Sequence, residues 1–393
     1  MISKVGSPVT GEDFFDREEE LAQLWADLRS DDILLLAPRR VGKTSLMFRL
    51  RDTAQDHDTE AVYLSVAGIE DEGGFVRELY KAIATLGSSV EIKGRLAARA
   101  TGGWLKRLRK VSLGPLGIEL DPSDPWDQGA ALVKALDASK QRRLILLDEV
   151  PIFILTLIKK DPSGDRARKF LYWFRDLRQR PERQGSLRWL LAGSIGLDTV
   201  TARLRMGDTV NDLYVVHLGP FDRETARQFL IKLSETYELE LSETALEHLL
   251  DRVGWLIPYH LQLLFKELQS SRKLFGTVPS QETVDEIFDG LLSPSKRAYF
   301  DYWRQRLEEE LGQQDAGLAL LLLSASANDP NGVTRSTLSQ TLSDQFAEPK
   351  KREEKLRYLL DVLESDGYLV AVSQRYRFRS PLLREFWLRR VVS

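Results

Sequence analysis

The stretch that most constrains this chain is Ala37-Pro38-Arg39-Arg40-Val41-Gly42-Lys43-Thr44, set directly behind the apolar run Ile33-Leu34-Leu35-Leu36. It matches the phosphate-binding loop G-x-x-x-x-G-K-[ST] except at the first position, where Ala37 replaces Gly. Such a loop needs a buried strand before it and a helix after it. Backbone N–H groups at the helix N-terminus wrap the phosphates, and a glycine is required where the chain bends close. Lys43 then neutralises the β- and γ-phosphates, and the Thr44 hydroxyl is a Mg²⁺ ligand.

A second motif, Leu144-Ile145-Leu146-Leu147-Asp148-Glu149, has the same logic. Four apolar residues predict a buried strand, and two carboxylates emerge at its C-terminal end, where open α/β sheets bind ligands. Asp148 is expected to hold Mg²⁺ and Glu149 to polarise an attacking water. That pair speaks against a small-molecule kinase, which needs an acceptor site. A third strand, Leu190-Leu191-Ala192, ends in Gly193-Ser194. Ser194 could hold the water or sense the γ-phosphate; a helix cap is the alternative. Arg203 and Arg205 follow, and an arginine offered to a neighbouring subunit could stabilise transition-state charge. A solvated or ion-paired role is the alternative for each.

Around these motifs, strands alternate with helices, which signals a parallel three-layer α/β domain. A helix is expected over 17–28 with Asp16 as its N-cap, then strands at 33–36, 61–66, 144–147, 188–192 and 214–218. The first domain is placed at 1–220, with an insertion at about 88–128 that is basic, then alternating, then turn-rich. Residues 221–292 read as a helical lid, in which Gly254 and Pro258 set a bend and Trp255 or Ile257 could cover a base. Residues 293–393 form a third unit: a helix at 334–342, a longer one at 351–366 ended by Gly367, then a short hairpin. Helix, turn, helix and β-wing is the winged-helix order.

Charge is near balance over the whole chain, −3 in 393 residues, so any nucleic-acid surface must be local. Residues 346–393 carry 11 Lys and Arg against 7 Asp and Glu. Arg375, Arg377 and Arg379 alternate with Tyr376 and Phe378 and are expected to share one face of a wing strand, which suits DNA phosphates. The apolar Leu382, Leu383, Phe386, Trp387 and Leu388 suit a protein partner instead. Cysteine is absent, which removes disulfides and thiolate chemistry and fits a reducing compartment. No apolar run approaches a membrane span and none resembles a signal peptide, so a cytoplasmic location is expected.

Taken together, these residues resemble the archaeal-ATPase family, a branch of the AAA+/STAND group related to the origin-recognition ATPases. Phe14-Phe15-Asp16-Arg17-Glu18-Glu19-Glu20 is similar to the STAND entry motif, with Asp16 where Gly is usual. Pro38 to Ser45, Leu147-Asp148-Glu149, Ala192-Gly193-Ser194, Gly219-Pro220-Phe221, Gly254 with Pro258, and Tyr376 to Leu383 carry the rest. The resemblance implies an ASCE-type P-loop NTPase, with a parallel sheet in the order 5-1-4-3-2, a helical lid and a winged helix. It implies ATP rather than GTP, Arg17 near the adenine, and a nucleotide site formed by Pro38, Arg39, Arg40, Val41, Gly42, Lys43, Thr44, Ser45 and Pro258. It also implies a switch in which ATP fixes the orientation of the winged helix and hydrolysis releases it. Three functions follow: a DNA-acting ATP switch, a signalling or defence switch with a protein partner, and a scaffold that holds nucleotide without turnover. The intact Glu149 argues against the last, and assembly into homo-oligomers stays open.

Overall fold

The computed structural model describes residues 1–87, 124–138, 140–180, 185–193, 196–276 and 278–392, which fall into two compact units. One comprises Arg17–Ala37 and Lys43–Leu218; the other comprises Met1–Asp16, Pro38–Gly42 and Gly219–Ser393.

The first unit is built on α1 (Glu18–Asp27), β1 (Ile33–Leu36), α2 (Lys43–Asp52), β2 (Thr59–Ser65), α3 (Glu72–Ile83), α4 (Pro125–Asp137) and β3 (Arg142–Asp148). It continues through α5 (Val150–Lys160), α6 (Asp165–Arg178), β4 (Leu187–Gly193), α7 (Leu197–Arg203) and β5 (Tyr214–His217). The five strands pair in the order β2-β3-β4-β1-β5, with every neighbouring pair parallel. This is the order 5-1-4-3-2 read from the other edge. Strands covered on both faces are near-continuously apolar, as β1 and β3 are.

One sheet face packs Leu34, Leu36, Ile145, Leu147 and Leu191 against helices α3, α5 and α6. Phe75, Phe153 and Phe170 meet there with ring centroids 5.0–5.6 Å apart. Phe174 stands edge-on to Trp189 at 5.1 Å. Offset and edge-to-face rings of this kind add to the area they bury.

Two local expectations are corrected. Asp16 does not cap α1; Arg17 occupies that position, and both residues adopt left-handed backbone at φ 58° and 77°. The entry motif therefore makes a turn where glycine would be the easy choice. Asp124-Pro125, read as part of a turn, starts helix α4, with the Asp124 side chain accepting from the Asp127 N–H. The rest of the expected insertion, 88–123, lies outside the described residues.

The second unit is mainly helical: α8 (Arg223–Tyr237), α9 (Glu243–Val253), α10 (Pro258–Phe275), α11 (Gln281–Leu291) and α12 (Asp301–Ala327), the last interrupted at Gly312. Asp222, Ser242 and Ser280 cap their helices through side-chain oxygens, and Pro258 sits in the first turn of α10. Then come β6 (Val333–Thr334), α13 (Arg335–Thr341), α14 (Pro349–Ser365), β7 (Leu369–Val372), β8 (Arg375–Phe378) and α15 (Pro381–Trp387). The three short strands form an antiparallel sheet in the order β6-β8-β7.

Among the described residues, no helix is long and apolar enough to cross a membrane.

Candidate nucleotide site

In the first unit, the ends of two strands bring four side chains together. Strand β3 ends at Asp148, and Glu149 turns into α5 with left-handed backbone, φ 62°. Strand β1 leads through the loop into α2, whose first residues are Lys43 and Thr44. The Thr44 hydroxyl donates to Asp148 Oδ2 at 2.8 Å. Lys43 Nζ lies 3.1 Å from Asp148 Oδ1 and 3.8 Å from Glu149 Oε1. The Glu149 N–H donates to Asp148 Oδ1 at 2.9 Å. Asp148 is buried at 2% side-chain exposure, whereas Glu149 keeps 20%. The inner carboxylate is thus fixed by protein groups, and the outer one is more open to solvent.

Tyr63 on β2 completes this cluster, its hydroxyl donating to Asp148 Oδ2 at 3.1 Å. Burial, and next the neighbouring Asp148 charge, push the Tyr63 phenol well above its ordinary value, so it remains a donor. Nothing in the sequence motifs singles Tyr63 out. Its role follows from parallel pairing, in which Ser65 lies beside Asp148 and Tyr63 beside Leu146. Because side chains alternate along a strand, Tyr63 and Ser65 share a face.

The donor chemistry fits Mg²⁺. Thr44 and Asp148 present hard oxygens in mutual contact, and this ion is commonly held by one or two protein oxygens plus phosphates and waters. Among the described residues, no group of three or more His, Cys, Asp or Glu is placed to hold a metal ion.

The loop itself explains how Ala37 is tolerated. Its left-handed positions are Arg40, φ 66°, and Gly42, φ 103°. Ala37 is not among them, so a Cβ there is no obstacle. At Gly42 no protein atom lies within 4 Å of an added Cβ, and the left-handed backbone itself demands glycine. Val41 and Ser45 are buried, and Pro38 and Arg39 are half-buried.

Arg40 was expected among the nucleotide-binding residues. Its guanidinium is stacked between two aromatic rings of the second unit, 3.7 Å from the Tyr259 centroid and 3.8 Å from that of Tyr302. Each such face contributes ~0.5–2 kcal/mol. Arg39 lies more loosely over Tyr302, at 5.8 Å. Next to Tyr259, His260 is fully buried, and burial followed by the Arg40 charge lowers its pKa to about 3.

The remaining expected residues are scattered. Arg17 is buried and paired with Glu20. Strand β4 ends at Gly193, and Ser194 lies outside the described residues. Arg203 closes α7, and its side chain is likewise outside them. Arg205 is exposed with φ 58°.

In the second unit, the three arginines of the hairpin do not form one open basic face. Arg377 is exposed, but Arg375 bonds Asp329 at 2.9 Å and the Gly332 carbonyl at 2.8 Å. Arg379 is half-buried, with its guanidinium 5.9 Å from the Trp255 centroid, and burial lowers its pKa. The apolar run of α15 is corrected more sharply. Leu382, Leu383, Phe386 and Trp387 are buried in their own unit, with Phe386 stacked on Phe300 at 5.1 Å and Trp387 5.7 Å from Phe378. Core packing accounts for them, and they offer no contact face.

No family model matches this sequence, and no curated protein matches it either. Among solved structures, the chain is similar to a Walker-type ATPase of Pyrococcus abyssi, PABY2304, at 19% identity, covering 98% of this chain and 99% of that one with a TM-score of 0.63. It is also similar to the Aeropyrum pernix ORC2 protein, solved as ADPNP–ADP complexes, at 15% identity over 96% of each chain with a TM-score of 0.50. The fold that these likenesses and the strand order establish is that of a P-loop NTPase of the ASCE type, its parallel sheet followed by a helical C-terminal region.

Proposed function

We propose that this chain is an ATP-binding and ATP-hydrolysing switch of the archaeal-ATPase kind, whose nucleotide state positions a C-terminal winged helix on duplex DNA. The observation that carries the reading is the joining of Lys43, Thr44, Asp148 and Glu149 at the ends of β1 and β3. One lysine faces two carboxylates, so the cluster is short of positive charge, which a divalent cation would supply. Thr44 and Asp148 would hold Mg²⁺, which would supply positive charge against the negative charge of the phosphates. Lys43 exchanges its carboxylate partners for the β- and γ-phosphates. Glu149, the more open carboxylate, accepts the proton of a water that attacks the γ-phosphorus as the bond to the ADP oxygen breaks. Arg17 and Pro258 are assigned to the nucleotide's base end, and Ser194 to the γ-phosphate. Arg203 or Arg205 is assigned to a neighbouring copy's site.

In this reading the chain comprises an ATPase domain over 1–220, a lid over 221–292 and a winged helix over 293–393. The order α12, β6, α13, α14, β7, β8 supports the last assignment. Cations at the start of α14, Lys350, Lys351 and Arg352, favour DNA over a protein partner, although Lys351 is paired with the N-cap Glu348 at 2.8 Å. Arg377 adds a further exposed cation on the hairpin.

Steady-state ATP hydrolysis by the wild type and Glu149→Gln, with and without duplex DNA, tests this function. DNA-stimulated turnover that Glu149→Gln abolishes is the expected result. Turnover indifferent to DNA at low salt would remove DNA from the reading and leave a protein-facing switch. No turnover under any condition would reduce the chain to a nucleotide-holding scaffold.

A further inference from the structure

The phosphate-binding loop is held from one side by a device that the nucleotide chemistry does not call for. Pro38–Gly42 belongs to the same compact unit as the helical C-terminal region, whereas Lys43 starts the other unit. Within that segment Arg40 adopts left-handed backbone, φ 66°, without being glycine. A strained residue persists only where its surroundings over-determine it. Here they do, because the guanidinium is sandwiched between Tyr259 in the first turn of α10 and Tyr302 in the first turn of α12. Arg40 Nη1 and the Tyr302 hydroxyl are both buried without a hydrogen-bond partner. Stacking on both rings, together with a side-chain hydrogen bond between Arg40 and Tyr259, supplies the grip. A second contact fixes the start of the segment: a Cβ built on Gly367 would lie 3.2 Å from Pro38 Cβ and 2.9 Å from the Trp255 ring.

We propose that the Tyr259–Arg40–Tyr302 stack is a positioning clamp through which the C-terminal region sets the affinity of the phosphate loop for ATP. Arg40 acts from the loop's outer side and is not a phosphate ligand. The clamp rests on the nucleotide-binding reading above. It gives that reading a route: any partner that shifts α10 or α12 changes the loop three residues before Lys43. Both tyrosines are needed, because one ring leaves the guanidinium free to swing away.

The test is the affinity of the full chain for a fluorescent ATP analogue, with melting temperatures recorded to confirm folding. Arg40→Ala, Tyr259→Ala and Tyr302→Ala should each weaken binding about tenfold, and Arg40→Ala with Tyr302→Ala combined should be no worse than either alone, since residues acting as one unit are non-additive. Tyr302→Phe keeps the ring and should retain most of the affinity. Arg40→Lys keeps the charge but not the planar face, and should lose affinity like Arg40→Ala. Turnover at saturating ATP should fall by less than about threefold in all of them, as expected when binding rather than the chemical step is touched.

If Tyr259→Ala or Tyr302→Ala leaves binding unchanged or tightens it, or if Arg40→Lys binds like the wild type, Arg40 is a direct phosphate ligand or a bystander and the clamp is overturned. A wild-type chain that binds no ATP analogue would instead overturn the nucleotide-binding function, and the clamp with it.

Discussion

The two sheets of this protein use charged strand-end residues in opposite ways. Around the five-stranded parallel sheet, the start of α2 and the end of β3 converge: Lys43 and Thr44 reach Asp148, and Glu149 stays partly open. In the three-stranded antiparallel sheet, charges are dispersed into local structure. Arg375 ties the hairpin to Asp329, Arg379 lies half-buried near Trp255, and only Arg377 of the three is exposed. The contrast shows that a pattern of charge becomes a site only when topology brings its members to one place. Parallel strands do this well, because all their C-terminal ends lie along one edge.

The largest effects should fall on the convergent cluster. Glu149→Gln should lower kcat by roughly 100- to 10,000-fold, the range for removing a general base, while the affinity for ATP remains. Single-turnover hydrolysis and a binding titration separate the two. Equal loss of binding and turnover would mean that Glu149 holds the loop and does no chemistry.

Next comes backbone strain. Gly332 precedes β6 with φ 81°, and an added Cβ would meet the Tyr376 carbonyl oxygen at 2.6 Å. Gly42 shares the positive φ, but no protein atom lies within 4 Å of an added Cβ. Gly332→Ala should therefore cost roughly 2–4 kcal/mol of stability, and Gly42→Ala roughly 1–2 kcal/mol with a larger loss of ATP affinity. Urea unfolding of the two variants side by side checks the order. A Gly42→Ala variant that unfolds more easily than Gly332→Ala would reverse it.

A pH effect of intermediate size belongs to the second unit alone. Below pH 6.5, the unfolded chain takes up a proton at His260 that the folded chain refuses until about pH 3. The stability associated with neutral His260 is therefore complete above pH 6.5 and declines on acidification through that window. At pH 5 the decline is about 2 kcal/mol. His260→Gln should flatten the profile of melting temperature between pH 7 and 5 relative to the wild type. Parallel profiles would exclude His260 as the cause.

The smallest effects should separate the hairpin arginines. Arg375→Ala should cost about 0.5 kcal/mol, as for partly exposed ion pairs. Arg377→Ala should leave stability unchanged and reduce the salt dependence of any DNA binding by about one counterion. An Arg375→Ala variant that weakened DNA binding more than Arg377→Ala would return Arg375 to the interface.

The phosphate loop was legible because its chemistry is local. A strand, a glycine with forced φ, a lysine and a threonine must follow one another in sequence, so the sequence records them. The carboxylate pair was legible for the same reason, as were the five strands and their order through the family resemblance. Other features were not. Helix α5 passes unmarked because Val150 to Ile158 is apolar on nearly every side, and such a run has no helical period to read. The apolar run of α15 read as a partner surface because hydrophobicity alone does not say which unit buries it.

What the amino-acid order determined by itself is the Gly-Lys-Thr loop, the Asp-Glu pair and the two-periodic and helical segments that carry them. These rest on interactions between residues close along the chain. Only the tertiary structure decided that Tyr63 supports Asp148, that Arg40 is clamped by Tyr259 and Tyr302, and that Arg375 is spent on Asp329. Each of these depends on groups far apart in sequence meeting at a few ångströms. The strength of cation–π, ion-pair and buried hydrogen-bond contacts is set by that distance and by the water excluded around it.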